Sequence, residues 1–146
     1  MLEIGLADFF HDEIENVEIN DIELKADMAF ETYDLLNDLV QKFPEKSLNF
    51  VMGSDLIDEY RGWDYGERLK KDFEFVIVER VGFLDYDKGN MPDRSLVVDF
   101  AMKNEISSTL LRERVRGSFG KGSLGLLGLT TRGVIEFIKK NRIFLK

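Results

Sequence analysis

The chain has 146 residues, 44% hydrophobic and 12% aromatic, which is enough to bury a core and predicts a single domain over 1–146. Its 28 acids against 20 bases give a net charge of −8, which repels nucleic-acid phosphates and sets DNA and RNA aside as partners. Disulfides, thiolate zinc sites and a cysteine nucleophile are excluded because there is no cysteine, and no apolar run approaches the roughly 18 residues that a membrane-spanning helix needs.

MLEIGLADFF lacks the basic start and small-residue cleavage site of a signal peptide, so a cytoplasmic location is expected, with a nuclear one left open. Leu2, Leu6, Phe9 and Phe10 within it recur at helical spacing and predict a helix over 1–10. From Glu15 to Leu24, Val17, Ile19, Ile22 and Leu24 stand between acids, a pattern that predicts a strand and its exit. Phe30, Tyr33, Leu36, Leu39, Val40 and Phe43 form a helical stripe that Pro44 closes. Leu48 to Met52 is a short apolar run ended by Gly53, as in a buried parallel strand, and a helix is expected from about Ser54. Arg61 to Tyr65 reads as a loop, Glu67 to Lys71 as a short helix, and FEFVIV (Phe73–Val78) as a second strand. A polar loop from Asp85 to Arg94 leads to a third strand, SLVVDF (Ser95–Phe100). Ser107 to Arg116 and Thr130 to Asn141 are predicted helices on either side of a glycine-rich Gly117–Gly128 stretch. Strands alternating with helices predict a Rossmann-like, doubly wound α/β fold, with a mainly parallel sheet and helices on both faces.

Bases gather late in the chain, at Arg112, Arg114, Arg116, Lys121 and Arg132, which suggests an anion site on an acidic body. Ile106-Ser107-Ser108-Thr109 opens the helix that carries Arg112. Hydroxyls and free backbone N–H groups at a helix start suit a phosphate, and a guanidinium one turn in adds a cationic fork. The plainer reading is a capped helix. Gly53-Ser54-Asp55 ends a strand, where parallel sheets bind ligands. Gly53 permits close backbone approach and Asp55 can accept from ribose hydroxyls, the plainer reading being a tight turn with a cap. Trp63, the sole tryptophan, either anchors a loop to the core or stacks on a flat ring. Thr32 reads plainly as a cap, Arg80 as a surface partner of Glu79, and His11, the sole histidine, as a solvated residue in an acidic stretch.

In order along the chain, NDIELKADMAFETYDLL, NFVMGSDLIDEYRGW, FEFVIVERVG, EISSTLLR and RGVIEFIKKNRIF together resemble the nicotinate or nicotinamide mononucleotide adenylyltransferases of the nucleotidyltransferase superfamily. The resemblance covers most of the chain. It implies adenylyl transfer from ATP to the phosphate of a pyridine mononucleotide in NAD biosynthesis, with release of pyrophosphate and with Mg²⁺ accompanying ATP. By the same resemblance, Thr32 and Trp63 would bind the mononucleotide, and Asp55, Ser107, Ser108, Thr109 and Arg112 would bind ATP. Gly53 would allow close backbone approach. Nicotinate and nicotinamide differ by one charge, and no residue here separates them.

The family opens with Gly-x-Phe-x-Pro-x-His-x-Gly-His, whose histidines approach the ATP phosphates. No such motif occurs in these 146 residues, so no catalytic residue is assigned, and His11 lacks the surrounding glycines and proline. The expectation is an incomplete version of a longer enzyme, without an N-terminal βαβ unit of about 30 residues or more and with little activity by itself. A homo-oligomer or a complementing chain is the alternative way to complete the sheet. Two rival functions stand beside the leading one. The first is adenylyl transfer to another acceptor such as phosphopantetheine, against which Trp63 and the Ile-Ser-Ser-Thr pattern speak. The second is a non-catalytic nucleotide-binding module, which the missing histidines favour.

Overall fold

The computed structural model of the chain describes residues 1–26, 28–98, 106–118 and 124–144. They fall into two compact units, one of Ile22–Glu105 and one of Met1–Asp21 with Ile106–Lys146.

The Ile22–Glu105 unit is built on a three-stranded parallel sheet. Two helices lead in, α2 (Ile22–Ala26) and α3 (Thr32–Lys42), numbered after α1 (Leu2–Phe10) of the other unit. The strands are β1 (Asn49–Gly53), β2 (Glu74–Val78) and β3 (Ser95–Val98), with α4 (Gly66–Asp72) crossing from β1 to β2. Register aligns Phe50 with Phe75 and Met52 with Ile77, so alternate residues of β1 and β2 project to one face. That face carries the core of Met52, Phe75 and Ile77, closed by Leu36, Ile57, Tyr60, Leu69 and Phe73. On the other face, Val51, Val76 and Leu96 form a row in which Val51 is 61% and Leu96 63% exposed. The apolar runs thus form a parallel α/β layer as expected. The last two residues of the predicted Ser95–Phe100 strand lie outside the described residues.

Two expectations fail here. The predicted strand from Glu15 to Leu24 is instead the end of a 3₁₀ turn (His11–Asn16), an irregular stretch, and then α2. A strand needs a ladder partner, and the three described strands pair only with one another. Acids flank every apolar residue of that stretch, and Leu24 is 84% exposed, so no buried face holds it extended. The predicted helix from Ser54 is a single 3₁₀ turn (Ser54–Leu56), followed by another at Tyr60–Gly62. Bonds here close over three residues, with Ile57 N–H donating to Ser54, Trp63 N–H to Tyr60 and Gly66 N–H to Trp63 carbonyls. In 3₁₀ geometry residues three apart eclipse, so Ile57, Tyr60 and Trp63 stack on one side and meet the sheet.

The second unit is helical. It holds α1, α5 (Ser108–Ser118) and α6 (Arg132–Asn141), with Val115, Leu126, Val134, Ile135 and Ile138 at its core. Asp8 Oδ2 of α1 accepts from Gly133 N–H at 2.9 Å, and Thr131 Oγ1 accepts from Val134 N–H at 3.4 Å. Two of the unpaired donors at the start of α6 are thereby satisfied. A side chain at 133 would meet Asp8 Oδ2 at 2.6 Å and Ile4 Cγ2 at 2.7 Å, so glycine is what lets α1 lie against α6. Within the glycine-rich stretch, residues 119–123 lie outside the described ones, Lys121 among them.

Candidate functional site

Gly53, Ser54 and Asp55 stand at the carboxyl end of β1, beside the carboxyl end of β2, where open parallel sheets bind ligands. Ser54 is 2% exposed, and its Oγ accepts from Arg80 N–H at 2.9 Å. Arg80 Nη1 donates to Asp55 Oδ2 at 2.6 Å. The other carboxylate oxygen, Asp55 Oδ1, is buried and has no hydrogen-bond partner among the described residues. Buried acceptors are seldom left unpaired in a fold, which sets this oxygen apart from the rest of the site. Gly53 is required here because a Cβ would collide with the Asp55 carboxylate and come within 2.9 Å of Arg80 Cδ. The sequence reading took Arg80 as a partner of Glu79, whereas its guanidinium reaches Asp55. The signal available was an arginine two residues past one strand and an acid two residues past its neighbour.

Trp63 is half-buried and meets Phe50 and Tyr60 edge-on, with ring centroids 6.5 and 6.4 Å apart. The core-anchor role weighed for it is therefore observed. Its segment is braced against the Lys88–Asn90 turn. Tyr60 hydroxyl donates to Asn90 O at 2.8 Å, Asn90 Nδ2 to Asp58 Oδ1 at 2.8 Å, and Arg61 Nη1 to Asn90 Oδ1 at 2.8 Å. Arg61 also donates through Nε to Glu67 Oε1 at 2.8 Å. This hydrogen bond first, and the guanidinium charge second, hold the Glu67 carboxyl below its ordinary range. Burial first, then the Glu67 carboxylate, pushes the Tyr60 hydroxyl up to about 12. Sequence reasoning missed this bracing because it joins residues about thirty apart through side chains of ordinary polar type.

Thr32 is the first residue of α3, not its cap, which is Glu31. The adjacent Tyr33 ties this helix down, with its hydroxyl donating to Asp72 Oδ2 at 2.8 Å. Thr32, Asp55 and Trp63 all belong to the sheet unit, while Ser107, Ser108, Thr109 and Arg112 belong to the helical unit.

In the helical unit, Ser107 caps α5. Its Oγ accepts from Leu110 N–H at 3.1 Å and its carbonyl from Leu111 N–H at 3.0 Å. Ser108, Thr109 and Arg112 are exposed. Arg114 and Arg116 are exposed on the same helix, which concentrates positive charge there. The Arg112 guanidinium lies 5.6 Å from the Phe144 ring centre. His11 is exposed at the end of α1, in keeping with a solvated role. Among the described residues no helix is long and apolar enough to cross a membrane.

A parallel sheet with a helical crossover and a Gly-Ser-Asp turn at the carboxyl end of its first strand defines the class as a Rossmann-like α/β fold. No protein-family model matches the chain. Curated relatives do. A protein of Aliarcobacter butzleri named "Probable nicotinate-nucleotide adenylyltransferase" is 31% identical over 105 residues, covering 71% of this chain and 54% of that protein. One of Clostridium perfringens with the same name is 30% identical over 136 residues, covering 86% of this chain and 63% of that protein. Among solved structures, the nicotinic acid mononucleotide adenylyltransferase of Plasmodium falciparum, complexed with APC, superposes with a TM-score of 0.66. It is 25% identical, over 79% of this chain and 58% of that one. The chain belongs to the nicotinate-nucleotide adenylyltransferase family. It spans between about half and two-thirds of the length of these relatives.

Proposed function

We propose that the protein transfers the adenylyl group of ATP to nicotinate mononucleotide, giving the dinucleotide and pyrophosphate. In this reading, a phosphate oxygen of the mononucleotide attacks the α-phosphorus of ATP and the bond to the β-phosphate breaks. No covalent enzyme intermediate is needed, so the chain's part is positioning and charge neutralisation. Magnesium enters as the salt of ATP. The Asp55 carboxylate accepts from a ribose hydroxyl, with Arg80 holding it in place. Ser107, Ser108, Thr109 and Arg112 meet the phosphates at the start of α5, and Thr32 and Trp63 lie on the mononucleotide side. The chain acts within one nucleotidyltransferase-type domain.

The observation that carries this reading is the buried, unpaired Asp55 Oδ1 at the carboxyl end of a parallel strand, in a chain of this family. The names of the relatives and the APC complex of the Plasmodium protein support the choice of nucleotide and acceptor. Calorimetric titration with ATP and Mg²⁺, then with nicotinate mononucleotide, tests it. Binding of both is expected, with Asp55→Asn and Arg112→Ala each weakening ATP. Saturable binding of phosphopantetheine but not of either pyridine mononucleotide would overturn the acceptor, and no ATP binding would overturn the reading itself.

A further inference from the structure

We infer that Phe144 is a positioning residue for the ATP phosphates, acting through Arg112; this rests on the reading of Arg112 as a phosphate ligand. The guanidinium lies over the Phe144 ring, 5.6 Å from its centre, in the range of a cation–π contact. Arg112 is exposed and makes no ion pair or side-chain hydrogen bond among the described residues. In a chain of net charge −8, a free guanidinium is readily captured by a carboxylate, which would occupy its donors. An aromatic face holds it differently. A cation–π contact consumes none of the guanidinium N–H donors and so leaves them free for phosphate oxygens. It also restricts a long side chain before the anion arrives, so less freedom is lost on binding.

The backbone is arranged to deliver that ring. After α6, Arg142 adopts φ 51° and Phe144 φ 65°, both in the left-handed region that bulky side chains avoid. Ile143 N–H returns to the Ile138 carbonyl at 3.1 Å, so the chain folds back over the end of the helix. The reversal sets Phe144 half-buried against the Val115, Leu126 and Val134 cluster, which supports the ring from below. A strained, supported aromatic under an otherwise unpaired arginine is what a pre-set anion ligand requires.

The test uses the whole chain with ¹⁵N-labelled arginine, the Arg112 Nε–H resonance being assigned by its loss in Arg112→Ala. Inorganic tripolyphosphate and ATP are the probes. In the wild type this resonance is expected upfield, shifted by the ring, and should move on titration. Phe144→Leu should abolish the ring shift and weaken tripolyphosphate by about fivefold, the scale of an exposed cation–π contact. Phe144→Tyr should restore both, which a merely structural role for bulk would not require. Absence of the ring shift in the wild type overturns the inference without any variant, should Phe144→Leu fail to fold. Wild-type affinity in Phe144→Leu, with affinity lost in Arg112→Ala, overturns the role of Phe144 and leaves the phosphate site standing. Unchanged affinity in Arg112→Ala overturns the site reading and the inference with it.

Discussion

Arg80 Nη1 lies 2.6 Å from Asp55 Oδ2, so an ion pair joins the residues that follow neighbouring parallel strands. Asp55 is 20% exposed there and Arg80 43% exposed, so the pair is only partly screened by solvent. Replacing Arg80 by methionine leaves the carboxylate without its partner, at a cost on the order of 1–2 kcal/mol. ATP affinity measured by calorimetry should fall by about tenfold, with Arg80→Lys falling less. An affinity equal to the wild type would remove Arg80 from the site.

Gly53→Ala places a methyl group against the Asp55 carboxylate and Arg80 Cδ at once. Overpacking of this kind costs about 1–3 kcal/mol. The urea midpoint should drop, and ATP binding should fall further than the stability loss alone accounts for, because Asp55 is displaced. A variant with wild-type stability and affinity would show that the approach is loose.

Ser107 and Thr109 separate capping from ligand binding. Ser107→Ala removes the acceptor for Leu110 N–H and should cost about 1 kcal/mol of stability. Thr109 is exposed, so Thr109→Ala should change stability by less than about 0.5 kcal/mol. Both should weaken ATP. If Thr109→Ala leaves affinity intact, the start of α5 is a cap and nothing more on that side.

Asp8→Ala removes the bond that ties α1 to the start of α6 across 125 residues of chain. The expected cost is about 0.5–2 kcal/mol, as for other helix caps. Backbone amide exchange at Gly133 should accelerate together with that loss. Unchanged protection at Gly133 would refute the cap.

Tyr60 titrates at about 12 rather than 10.0 because its hydroxyl is buried near Glu67. The folded form therefore keeps its proton after the unfolded chain has lost it. Stability from this group is intact below pH 10 and is lost as pH rises to about 12. Over that window the wild type should lose up to roughly 3 kcal/mol of unfolding free energy that Tyr60→Phe keeps, so the order of stability reverses. Near neutral pH the variant should be about 1 kcal/mol less stable, having lost the bond to Asn90 O. Parallel pH profiles for the two proteins would contradict the assignment.

The strands FVM, FVIV and LVV were legible as sequence because short runs of β-branched and other apolar residues suit the strands of a parallel sheet. The helix closed by Pro44 was legible for a local reason too, since proline cannot continue a helix. The Glu15–Leu24 stretch misled for the opposite reason. Alternation shows only that a chain could be half-buried, and extended structure exists when another strand offers its donors and acceptors. The Ser54 segment misled through periodicity. Ile57, Tyr60 and Trp63 are three apart, a spacing that an α-helix also offers to one face, and in the fold Trp63 meets Phe50 while Tyr60 meets Phe75.

By itself, then, the sequence determined the class of fold and the family, because these depend on residue type and order along the chain. Tertiary structure decided the partners. It turned Arg80 toward Asp55, laid Arg112 on Phe144, set Trp63 against the sheet and capped α6 with Asp8. Each of those pairs joins residues far apart in sequence, and pairing between distant groups follows from where the backbone brings them, which no local pattern encodes.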